Sequence, residues 1–102
     1  MAKDPSAPRP PEEIVSDLER AIQLSQAGQL DDAAELCDAV LAEQPDFAVA
    51  QYVGGIVALQ QDRRDDAEAL IEKAIAGQPN NAEWINMLGV VRERQGKLED
   101  AA

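Results

Sequence analysis

The sequence predicts an all-α fold of antiparallel helical hairpins stacked side by side. Three observations point there. First, a short phrase recurs. Asp31-Asp32-Ala33-Ala34-Glu35-Leu36 returns 34 positions later as Asp65-Asp66-Ala67-Glu68-Ala69-Leu70, and 34 further on as Glu99-Asp100-Ala101-Ala102. A fixed period of this length marks a repeat architecture, each unit being one supersecondary element. Second, Ala, Leu, Glu, Asp and Gln dominate, Thr is absent and aromatics are 3%, so helix is favoured over strand. Third, apolar residues between the phrases fall at helical spacing.

The elements follow in order. Four of the six prolines lie in residues 5–11, so residues 1–10 read as a disordered leader without the apolar side chains that would offset ordering. The leader also lacks the apolar segment of a signal peptide. Pro11 suits a first helical position, and Glu12 and Glu13 complement the helix dipole behind it. Ile14, Leu18, Ala21, Ile22 and Ser25 trace one face of this first helix, which Gly28 closes. Asp31 is placed to cap the second helix, whose stripe is Ala33, Leu36, Cys37, Val40 and Leu41. Gln44-Pro45 ends it, because the residue before proline is pushed out of the helical region.

A third helix runs from about Ala48 to Gln60 with Val49, Tyr52, Val53, Ile56 and Val57 as its stripe. Gly54 and Gly55 each cost ~1 kcal/mol against Ala in mid-helix, which predicts close approach of another helix there. The fourth helix starts near Asp65, carries Ala67, Leu70, Ile71, Ala74 and Ile75, and ends at Gly77 and Pro79. The fifth spans about Ala82 to Arg94, with Gly96 as its stop. Residues 98–102 then read as the first turn of a sixth helix, and the chain as the N-terminal fragment of a longer protein.

Pro45 and Pro79, and Ala33, Ala67 and Ala101, share the 34-residue period, and Leu88-Gly89 supplies a Leu-Gly pair. With these marks the chain resembles the tetratricopeptide repeat family over about Ile14 to Ala102. The resemblance divides the domain 11–102 into repeats at about 14–47 and 48–81 and an incomplete one at 82–102. It implies a right-handed solenoid, with the first helix of each repeat on the concave face. There are departures: Asp17 and Arg20 replace apolar residues, Gly54 stands where Leu is usual, Trp84 comes one position early and Arg92 replaces an aromatic.

The implied function is a protein–protein interaction module that holds a peptide or helix in the concave groove. The groove contacts carried over are Val15, Leu18 and Ile22, then Val49, Tyr52, Ile56 and Leu59, then Asn86 and Val90. Members that clamp a peptide carboxylate use Lys, Arg and Asn. The matching positions here are Leu18, Ile22, Val53, Glu83 and Met87, so that clamp is not expected. An alternative setting is the leading region of a larger enzyme, such as a glycosyltransferase or sulfotransferase, to which the repeats present protein substrates.

Composition narrows the function classes. A net charge of −11 disfavours nucleic acid and anionic membrane. Without His, a Ser-His or Cys-His pair cannot be assembled within the chain, so no catalytic residue is expected. One Cys without His makes no zinc site, and Cys37 on an apolar stripe reads as core. No cofactor or metal is expected. The paired acids recur at helix starts and read as caps. Lone Cys37 and the absent apolar leader point to the cytoplasm. Self-association through an uncapped C-terminal end is a further expectation.

Overall fold

The computed structural model describes the backbone of residues 11–101 and the side chains of residues 12–96. The leader expected over residues 1–10 lies outside the described residues. Among the described residues five helices follow one another: α1 (Pro11–Gln26), α2 (Leu30–Glu43), α3 (Ala48–Gln60), α4 (Arg64–Gly77) and α5 (Ala82–Ala101). There is no strand among the described residues. Each helix packs on the next in sequence, and α1 also touches α3.

Two kinds of turn alternate, and each recurs after one period. After α1 and after α3 the chain reverses through a left-handed residue, Gly28 at φ +83° and Asp62 at φ +67°. The Gln29 N–H donates to the Leu24 carbonyl at 2.9 Å, and the Arg63 N–H to the Ala58 carbonyl at 2.8 Å, the six-to-one bond of a helix C-cap. Asp tolerates this backbone better than most side chains, and its carboxylate pairs with Arg64 at 2.7 Å. After α2 and α4 the turns Gln44-Pro45-Asp46-Phe47 and Gln78-Pro79-Asn80-Asn81 close alike. The Phe47 N–H donates to the Gln44 carbonyl at 3.2 Å, and the Asn81 N–H to Gln78 at 3.1 Å. Proline cannot extend the helix, so both α2 and α4 stop two residues before it, with Gln44 and Gln78 as their C-caps.

Two expectations about helix ends need correction. Asp31 is not a cap: α2 starts at Leu30 behind Gln29, with no side-chain cap bond, and Asp31 and Asp32 occupy its first turn. Asp65 and Asp66 sit likewise in α4. The acids therefore act through the helix dipole rather than by capping. A side-chain cap that the spacing did not predict belongs to α5, where Asn81 Oδ1 accepts from the Trp84 N–H at 3.2 Å. Gly96, in turn, does not stop α5. The helix runs on as one element to Ala101, through the residues expected to open a sixth helix. Glycine permits a left-handed turn without imposing one, and the residues around Gly96 (Arg94, Gln95, Lys97, Leu98 and Glu99) are good helix formers.

The core forms two clusters that share α3. Ile14, Leu18, Cys37, Val40, Val53 and Val57 meet where α1, α2 and α3 converge. Ala58, Leu59, Ala67, Ile71 and Val91 join α3, α4 and α5. So α3 is covered on two sides, which a single apolar stripe does not describe. Its extra buried face is made of Ala50, Gln51, Gly54, Gly55 and Ala58. Of the two glycines, Gly55 is the one held by close approach: a Cβ there would stand 2.7 Å from Ile71 Cγ1 and 3.3 Å from the Ala67 carbonyl oxygen. At Gly54 the same atom would meet only ordinary contacts, the nearest at 3.6 Å. Buried Gln51 is satisfied by donating to the Pro45 carbonyl at 2.8 Å, which ties α3 to the turn before it.

Candidate functional site: the face of the first helices

A cavity of about 330 Å³ opens on one side of the stack. Its walls are Ile22, Ser25 and Gln26 of α1, Tyr52, Val53, Ile56, Val57 and Gln60 of α3, and Met87 of α5. Only the first helices of the hairpins contribute. This follows from the sequence: α2 and α4 spend their apolar stripes on Ala33, Cys37, Val40 and on Ala67, Ile71, Ala74, all buried between neighbours. The first helices carry more apolar surface than the core consumes.

The surplus is visible as exposure. Val15, Ile22, Val49 and Val90 are each 39–46% exposed, which is unusual for large aliphatic side chains. Ile22, Ile56 and Val90 are one repeat apart, as are Val15 and Val49. Residues seven apart share a helix face, so Val15 continues the row of Ile22, and Val49 that of Ile56. Tyr52 and Ile56 are half-buried in the cavity wall. Asn86 is exposed and stands outside that wall.

Two expected groove contacts are core residues instead. Leu18 is 3% exposed and packs in the α1–α2–α3 cluster, while Leu59 is 7% exposed and packs in the α3–α4–α5 cluster. Each first helix must bury one edge against its own hairpin partner, and these positions lie on that edge. Ser25, one repeat before Leu59, is also buried, and its hydroxyl donates to the Ile22 carbonyl at 3.1 Å. Val57 and Met87 are wall residues that the groove reading left out. Met87 was findable, because it lies one repeat after Val53.

Tyr52 and Trp84 stack with ring centroids 4.9 Å apart and planes 16° from parallel. The pair joins α3 to α5 and puts an aromatic surface at the cavity. The two residues are 32 apart rather than 34, so the period alone does not pair them. The Tyr52 hydroxyl titrates above its ordinary range, first because burial disfavours the anion and then because of the negative charge of Glu83.

Nothing reactive accompanies this surface. The Cys37 thiol is pushed up to about 11, by burial first and by the charge of Asp38 second. Low thiolate content makes it inert at neutral pH. Among the described residues no three His, Cys, Asp or Glu side chains are grouped so as to hold a metal ion. No helix of the described residues is long and apolar enough to cross a membrane.

Comparison with known families gives a match to a model described as a tetratricopeptide repeat, over residues 24–91. Comparison with curated proteins gives no match.

Proposed function

Because the chain belongs to the tetratricopeptide repeat family, whose repeats generally mediate protein–protein interaction and are typically non-catalytic, we propose that it binds a protein segment across α1, α3 and α5. The observation that supports this reading is the repeat-register row of exposed aliphatic side chains, Val15, Ile22, Val49 and Val90, beside an apolar cavity. Such surplus apolar surface marks an interaction site. An extended or helical segment would lay its apolar side chains along the row and seat one between Ile22, Ile56 and Met87. Presentation of a substrate protein to a catalytic domain would use the same binding act. Single buried Cys37 suits a reducing compartment such as the cytoplasm.

The test uses peptides selected from a random display library on the full chain. Ile56→Asp is expected to weaken a selected peptide at least ~10-fold, since it sets an unpaired charge in an apolar seat. Glu35→Gln on α2 should leave affinity unchanged, and circular dichroism should show equal helicity in both. Unchanged affinity in Ile56→Asp would remove this surface from consideration.

A second reading has its own observation. On α3, Gln51, Gly54 and Gly55 are buried. One repeat later Ile85 and Gly89 are exposed, Leu88 is half-buried, and a Cβ at Gly89 would meet nothing within 4 Å. We propose that this face of α5 pairs with its equivalent on a second copy of the chain, using the surface by which α3 receives α4.

A further inference from the structure

The cavity has two chemically different ends, and the difference names its occupant. Its middle is apolar: Ile22, Tyr52, Ile56 and Met87. Towards the C-terminal ends of the first helices stand the amides Gln26 and Gln60. Towards the N-terminal ends stand two carboxylates. Glu19 precedes Ile22 by three residues on α1, and Glu83 precedes Met87 by four on α5. Side chains three or four apart on a helix are neighbours, with Cβ atoms ~5–6 Å apart. Glu19 holds on α1 the repeat position of Val53 and Met87, and Glu83 holds on α5 that of Val15 and Val49, so both acids stand on the N-terminal side of the apolar row of Ile22, Ile56 and Val90, on the two outer helices.

The intervening helix α3 carries no charged residue between Ala48 and Gln60. Neither Glu19 nor Glu83 is ion-paired among the described residues. Exposed Arg63 and Arg92 and half-buried Arg64 are occupied elsewhere, by Asp66, Asp62, Glu68 and Glu72, while Arg20 lines a separate hollow with Asp32 and Glu35 of α2 and Lys73 lies on α4. Arg94 lies two turns beyond Met87, at the amide end. After burial, the negative charge of Glu83 is the second cause that raises the Tyr52 hydroxyl in the cavity wall.

We propose that the occupant is a protein segment in which an aliphatic side chain neighbours a lysine or arginine, the aliphatic group filling the cavity and the cation lying between Glu19 and Glu83. The proposal rests on the groove reading above and adds the charge of the partner to it. A neutral apolar segment would leave both carboxylates as they are in the free protein. An acidic segment would meet repulsion from both.

Four synthetic peptides of equal length test it with the full chain: isoleucines flanked by lysines, the same with glutamines for lysines, the same with glutamates, and the lysine peptide with serines for isoleucines. Trp84 is the only tryptophan and stacks on the cavity wall, so its fluorescence reports binding. The lysine–isoleucine peptide is expected to bind roughly 3–10-fold more tightly than the glutamine one, the range two exposed charge contacts supply. The glutamate peptide should be weaker still, and the serine peptide should give no saturable signal.

The double variant Glu19→Gln/Glu83→Gln should erase the preference for lysine over glutamine. Asp32→Asn/Glu35→Gln on α2 makes the same change in net charge away from the cavity and should keep it. Equal affinity for lysine and glutamine peptides overturns the proposal, as does loss of the preference in both double variants. In either case the groove reading survives if the glutamine–isoleucine peptide binds and Ile56→Asp abolishes that binding. Silence of all three isoleucine peptides overturns both.

Discussion

Gly55 and Gly89 hold the same place in successive repeats and should answer the same substitution with opposite signs. At Gly55 an added methyl collides with Ile71 at 2.7 Å, and Ala67 backbone blocks retreat. Gly55→Ala is expected to destabilise by about 1–3 kcal/mol, the range of core overpacking. Gly89→Ala meets open space, so helix propensity alone acts and stability should rise by about 0.5–1 kcal/mol. Urea denaturation followed by circular dichroism reads both. Cys37 makes a second prediction at this scale. Its folded pKa, about 11, exceeds the ordinary 9.0, so the unfolded chain ionises first. That contribution to stability is complete below about pH 9 and is lost as pH rises through about 11. Melting temperatures measured between pH 8 and pH 10.5 should fall more steeply for the native chain than for Cys37→Ala. Ellman's reagent at pH 8 should react slowly until urea unfolds the protein.

Between elements, the recurring acids have a role that their spacing did not disclose. Gln61 at the end of α3 donates to Asp31 at the start of α2, at 3.0 Å. One repeat on, Gln95 of α5 donates to Asp65 of α4, again at 3.0 Å. Each bond ties the second helix of one hairpin to the first helix of the next. Both are exposed, so each contributes only about 0.5 kcal/mol, the low end for a hydrogen bond. Double-mutant cycles on Asp31/Gln61 and Asp65/Gln95 should return equal, small couplings. High salt should leave these nearly unchanged while it weakens the bridge of Arg92 to Glu68 and Glu72. Helix order and most boundaries were legible because the turn residues are local signals: Gly28, Pro45 and Pro79 each act within one turn. The Asp–Gln bonds were not, because they join residues 30 apart that no local pattern links. Leu18 and Leu59 were misplaced for a related reason. A first helix faces both a groove and a partner helix, and spacing alone does not say where one face ends. Gly96 misled because a permissive residue resembles an obligatory stop until the backbone is seen.

For the molecule as a whole, the open face of α5 predicts concentration-dependent mass. Light scattering should show a monomer–dimer equilibrium in the native chain and a monomer in Ile85→Glu, whereas Ile22→Glu in the groove should not shift it. A strictly monomeric native chain at high concentration would end that reading. The groove and this face are separate surfaces, so peptide binding and dimerisation should vary independently.

The paired Asp–Gln bonds also bear on how such a chain can change in length. Suppose the stretch 48–81 were copied once in tandem. Asp31 would still find Gln61, the new Gln61 would find the old Asp65, and the new Asp65 would find Gln95. Every inserted copy would bring one donor and one acceptor, already in register, and one more Val49–Ile56 row for the groove. The 34-residue stretch therefore behaves as a cassette, and gene duplication could lengthen the binding surface without first inventing a new joint.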